Sequence, residues 1–138
     1  MNTPTIDSPS YGLTKHLAST SFDRAVQLVT EGLKREGFGV LTEIDVKATL
    51  KRKLDVDFRR YTILGACNPA LAHQALSAEP LVGLLLPCNV VVAENDGGST
   101  ISVVNPREMF RIVENAELET IVAEVDAKIR RVVEGLEP

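Results

Sequence analysis

The chain has 138 residues, enough for one domain with a core of its own. Hydrophobic residues make up 44%, charged residues 25% and aromatics 4%, with no Trp, so the core must be built from Leu, Val, Ile and Ala. The formal charge of −4 speaks against a general nucleic-acid binder, no apolar stretch reaches the ~18 residues of a membrane span, and two cysteines are too few for a disulfide framework.

Residues 1–10 are polar, contain Pro4 and Pro9, and lack the basic start and apolar stretch of a secretory signal, so they are expected to be a flexible lead-in. Residues 11–138 are expected to form the single domain, in a cytoplasmic setting where both thiols stay reduced. Residues 11–17 alternate as a strand does. Ser21 can cap a helix whose stripe is Ala25, Val26, Leu28, Val29 and Leu33; Asp23 early and Lys34-Arg35 late suit the helix dipole, and Gly37 ends it. A second strand covers residues 38–44, and Asp45 caps a short helix from Val46 to about Leu54.

A third strand covers residues 61–66. Asn68-Pro69 is a strong helix start, and the helix runs to about Ala78. The apolar run 82–86 does not alternate, which predicts a strand buried on both faces. Residues 90–94 continue extended beyond Pro87, Asn95-Asp96-Gly97-Gly98 is a hairpin turn, and residues 100–104 return. Asn105-Pro106 starts another helix, with Glu108 placed to complete a capping box. A longer helix over about 116–133 carries Ile121, Val122, Val125, Ile129, Val132 and Val133 on one face. The expected fold class is α+β: a mixed sheet of about five strands packed by helices, in which residues 61–86 form a strand-helix-strand unit with parallel strands.

The concentrated chemistry is two Cys-Asn pairs, Cys67-Asn68 and Cys88-Asn89. Parallel strands would bring both thiols to the C-terminal sheet edge, where open α/β sheets bind ligands. Cys67 would lie near the amides of a helix N-terminus, a setting that favours the thiolate. The plain alternative is that both cysteines pack as small hydrophobes, that Asn68 is simply a cap, and that Asn89 sits at a bulge or turn. A soft metal ion would need more ligands than two thiols, and His16 and His73 are weak candidates. Glu43 and Asp45 project to one side of the second strand and could do acid–base work, although capping explains Asp45. Lys47, Lys51, Arg52, Lys53, Arg59 and Arg60 form a basic cluster diluted by Asp55 and Asp57; a solvated helix face explains most of it.

Three blocks carry a family resemblance: residues 37–45 (GFGVLTEID), 64–69 (LGACNP) and 83–90 (GLLLPCNV). In that order they resemble the bacterial domain-of-unknown-function 302 family over residues 11–106, which leaves 107–138 as a helical C-terminal extension. The resemblance implies a small α+β domain, a homodimer, and both Cys-Asn pairs with Glu43 and Asp45 inside recurring blocks; it implies no activity and no known cofactor. The leading expectation is a binding domain for a small ligand or soft metal ion, or a thiol redox switch, at Cys67 and Cys88. One alternative is an enzyme with Cys67 as nucleophile assisted by Glu43 or Asp45. The other is a dimeric structural or interaction protein. No nucleic acid and no membrane are expected as partners.

Overall fold

The computed structural model describes Ile6 and residues 8–138, so the lead-in expected at residues 1–10 falls largely outside the described residues. Local rules set most element starts. Ser21 Oγ accepts the Arg24 N–H ahead of α1 (Phe22–Arg35), Asp45 Oδ1 accepts the Ala48 N–H ahead of α2 (Val46–Leu54), and Asn68 Oδ1 accepts the Leu71 N–H ahead of α3 (Pro69–Ala78). Asn115 caps α5 (Ala116–Glu134) in the same way, through the Glu117 N–H. Asn105 Oδ1 caps the short α4 (Pro106–Met109) through the Arg107 N–H, but the capping box does not close: the Asn105 N–H donates to the Tyr11 carbonyl, and Glu108 pairs with Arg111 at 3.3 Å.

The strands β1 (Gly12–Ala18), β2 (Gly39–Asp45), β3 (Tyr61–Cys67), β4 (Cys88–Asn95) and β5 (Gly98–Val104) form one sheet in the order β1-β5-β4-β3-β2. Every pairing is antiparallel, so the expected mixed sheet with parallel neighbours is corrected. The reason lies between α3 and β4. The run at residues 82–86 is not a strand; residues 82–85 belong to a 3₁₀ segment, Pro80–Leu85, with Leu81 74% and Leu84 83% exposed. The chain therefore turns back before Cys88 and β4 runs against β3. The hairpin is as expected: Asp96 (φ 37°) and Gly97 (φ 79°) take the two positive-φ positions, and Asn95 pairs with Gly98.

One sheet face carries the core. Leu64 and Ala66 of β3, Val90 and Val92 of β4, and Ile101 and Val103 of β5 alternate inward against Val29 and Leu33 of α1 and Val125, Ile129 and Val132 of α5. The long C-terminal helix is thus integral to the core. α3 packs on α5, where Ala75, Val82, Phe110 and Leu118 form a second, smaller cluster. Outside this packing lies an arm made of β2 and α2: α2 has no buried residue, and Leu41, Ile44, Leu54 and Val56 are exposed. None of the described helices is long and apolar enough to cross a membrane.

Candidate functional site

Both thiols reach the same end of the sheet by a route the sequence did not suggest. Cys67 closes β3 and pairs with Gly39 of β2, whereas Cys88 opens β4 after the cis Leu86–Pro87 bond and stands opposite Ala66. Successive strand residues face opposite sides, so a Cys88–Ala66 pairing does not stack Cys88 on Cys67. Both cysteines are free and they are not close to each other. Asn68, next to Cys67, is fully used by the fold: besides its cap, its Nδ2 donates to the Glu36 carbonyl at 3.3 Å. That bond needs Gly37, which sits at φ 84° and whose Cβ would stand 3.0 Å from Asn68 Nδ2.

Cys67 and Cys88 are among the residues that line a narrow apolar slot of about 40 Å³. Its walls are α3 (Asn68, Leu71, Ala72, Ala75) and α5 (Leu118, Ile121, Val122, Val125), spaced i, i+3, i+4, i+7 on each helix. Its end is closed by Phe38, Ala66, Cys67, Leu86, Pro87, Cys88 and Phe110. Burial pushes the Cys88 thiol up to about 11, with a smaller electrostatic push from Cys67. Cys88 is therefore a neutral thiol at physiological pH, a poor nucleophile and a poor metal ligand. Cys67 is half-buried.

The other candidates are elsewhere. Glu43 pairs across from Leu64, four residues along β2 from the Gly39 that faces Cys67, which is about 13 Å at ~3.3 Å per residue. Asp45 lies farther along and caps α2. Asn89 is exposed opposite Gly65 with no bulge; the bulge is in β2, between Val40 and Thr42. His16 lies on β1, across β5 and β4 from the β3 that carries Cys67, and shares a 2.8 Å hydrogen bond with Thr100 Oγ1; His73 is exposed on α3. Among the described residues, no group of three or more His, Cys, Asp or Glu side chains could hold a metal ion. The basic cluster divides. Lys47 donates to the Phe58 carbonyl and Lys51 pairs with Asp55 and Asp57, while Arg60 stacks on Phe22 at 4.2 Å and pairs with Asp23.

Two features were not anticipated. The α5 wall of the slot was visible in sequence as a hydrophobic stripe, but nothing in its period says that a gap survives beside it. An open polar cleft of about 570 Å³ lies between Ser19–Phe22, Arg59–Arg60 and the β4–β5 turn. Glu94 and Asp96 line it beside the two arginines, so it favours no single sign of charge.

Over residues 13–136 the sequence matches the family described as Domain of unknown function DUF302. The chain belongs to the DUF302 family. A solved structure, an uncharacterized conserved DUF302 protein from Bacillus stearothermophilus, is similar at a TM-score of 0.83 and 30% identity, covering 91% of this chain and 98% of that chain. No curated protein matches the chain. The DUF302 match runs from β1 to Leu136, taking in both Cys-Asn pairs and the slot-forming face of α5.

Proposed function

We propose that this chain is a binding domain whose ligand seats in the apolar slot between α3, α5 and the β3–β4 end of the sheet. Cys67 and Cys88 act there as walls rather than as a redox pair or a metal site. The observation that carries the reading is the slot itself: a void lined by fifteen residues, nearly all apolar, beside a core that is closely packed on β3, β4 and β5. Interiors pack at close to crystal density, so a retained apolar gap is a feature to be explained. The neutral, buried Cys88 and the separation of the thiols favour walls over redox chemistry. The distance from Cys67 to Glu43 along β2 disfavours a thiol nucleophile assisted by that carboxylate. Free thiols suit a reducing compartment such as the cytoplasm.

Alkylation tests it. In native protein N-ethylmaleimide should label Cys67 and spare Cys88, and xenon under pressure should slow Cys67 labelling relative to nitrogen. Equal labelling rates under the two gases would contradict a void at Cys67.

A second reading concerns the arm. The homodimer that the family resemblance implies would form through β2 and α2, with a second copy as occupant. A nine-residue helix is too short to be stable without tertiary packing, yet α2 buries no residue within the chain. The edge strand β2 pairs on one side, with β3, and exposes Leu41 and Ile44. Light scattering should give a dimer that Ile44→Lys dissociates; a monomer for the unmodified chain would remove this reading.

A further inference from the structure

The helices that build the core cover one face of the sheet. The strand residues buried in that core, such as Leu17, Leu64, Val90 and Ile101, all point to the helix side. Alternation puts their strand neighbours on the opposite face. Across the middle of that face the register aligns Ile44, Ile63, Val91, Ser102 and Thr14 in one row, from β2 to β1. Ile63 and Val91 are half-buried and Ile44 is exposed.

An antiparallel sheet with one face in water normally turns its polar and charged side chains to that face. Here the charges do the reverse. The charged residues of the strands are Lys15, Glu43, Asp45 and Glu94. Lys15 pairs with Ile101, Glu43 with Leu64, Asp45 with Thr62 and Glu94 with Ser99, so all of them share the side of the core residues. Lys15 Nζ donates to the Glu134 carbonyl of α5 at 3.2 Å, in keeping with that side. No Asp, Glu, Lys or Arg of any strand stands on the open face. Loss of charge is the compositional mark of an interface centre.

Five strands about 4.8 Å apart, each of about seven residues at ~3.3 Å, give a face of roughly 550 Å². Two such faces bury roughly 1,100 Å², just past the ~1,000 Å² that a specific interface needs. The occupant must itself be uncharged over that extent. Helices α1, α2 and α5 carry charged side chains, and the chain has a net charge of −4, so two copies repel least across the face without charges. A copy of this same face meets the requirement.

We infer that a second copy of the chain packs face to face on the open side of the sheet, with Val91 near the centre of the contact and Ile44 at its margin. The inference rests on the reading of Ile44 as a contact with a second copy, and it moves that contact from the β2 edge and α2 to the sheet face.

Light scattering over a concentration series tests it. The unmodified chain should be a dimer. Ser102→Lys sits on β5, well away from β2, and brings two like charges into the contact, one from each copy. It should raise the dimer dissociation constant about tenfold or more, with circular dichroism unchanged. Thr14→Lys on β1 should do the same and serves if Ser102→Lys fails to fold. Leu54→Lys, exposed on α2, should leave the dimer intact. Folded Ser102→Lys or Thr14→Lys protein that stays dimeric overturns the face assignment, and loss of the dimer on Leu54→Lys alone leaves the edge reading standing in its place. A monomer for the unmodified chain overturns both.

Discussion

The seam around the slot and the β2–α2 arm are built from similar sequence and end in opposite states. Each is a strand that runs directly into a capped helix, β3 into α3 through Asn68 and β2 into α2 through Asp45. The first is covered by α5 and by residues 86–88, and its cap residue Asn68 also bonds the Glu36 carbonyl. The second is left almost wholly in solvent. Local chemistry therefore makes both units equally well formed, and only the location of α5 decides which of them encloses a site.

Core substitution gives the largest contrast. Ile129 of α5 is fully buried, so Ile129→Ala should cost about 2–5 kcal/mol, whereas Leu54→Ala in the arm should stay within about 0.5 kcal/mol in the monomer. Urea unfolding measures both, and equal costs would erase the distinction between the regions.

Titration of Cys88 comes next. Its folded-state pKa lies above the ordinary 9.0, at about 11, so the unfolded chain loses this proton first. The associated stability is fully present below pH ~9 and is lost as pH rises through the folded value, about 2–3 kcal/mol in all. Cys88→Ala should flatten the stability profile between pH 9 and 11 relative to the unmodified chain; parallel profiles would mean that Cys88 is not buried as described.

Those two regions also show what sequence could reveal. Asp45, Asn68 and Pro69 announced α2 and α3 to the residue, because caps act within one turn and need no knowledge of the rest of the chain. The hairpin at Asn95–Gly98 was legible for the same reason. The 82–86 run misled, since an unbroken apolar stretch does not distinguish a buried strand from a short helix, and Leu81 and Leu84 are in fact exposed. The parallel pairing of β3 with the following strand fell with it. The expected meeting of Cys67 and Cys88 at the C-terminal edge of parallel strands fell as well: Cys67 ends one strand, Cys88 starts its antiparallel neighbour, and the two are not close. The slot itself is a gap between helices, and a gap has no residues of its own to read.

The caps offer a finer comparison. Asn68→Ala loses a helix cap and the bond to the Glu36 carbonyl, and should cost about 1–2 kcal/mol; Asp45→Ala loses an exposed cap and should cost less, about 0.5–1 kcal/mol. Thermal denaturation ranks them, and the reverse order would mean that the arm is better anchored than its exposure implies. The smallest effect belongs to Glu36 itself. Arg131 hydrogen-bonds its carboxylate and holds its pKa below the ordinary value, so this contribution is present above that value and is lost as pH falls through the lowered one. Glu36→Gln should reduce the acid sensitivity of unfolding slightly, and a larger change than that of the Cys88 variant at high pH would invert the ranking.

The slot beside Cys67 and Cys88 is a void that a small apolar guest can fill. Methyl NMR under xenon pressure tests it most directly, because xenon enters dry apolar cavities and perturbs only the groups that line them. Saturable shifts are expected at Leu71, Leu118, Ile121, Val122 and Val125, with Leu54 and Ile44 of the arm unmoved. Shifts that are absent at those five residues, or that are no larger there than in the arm, would contradict it.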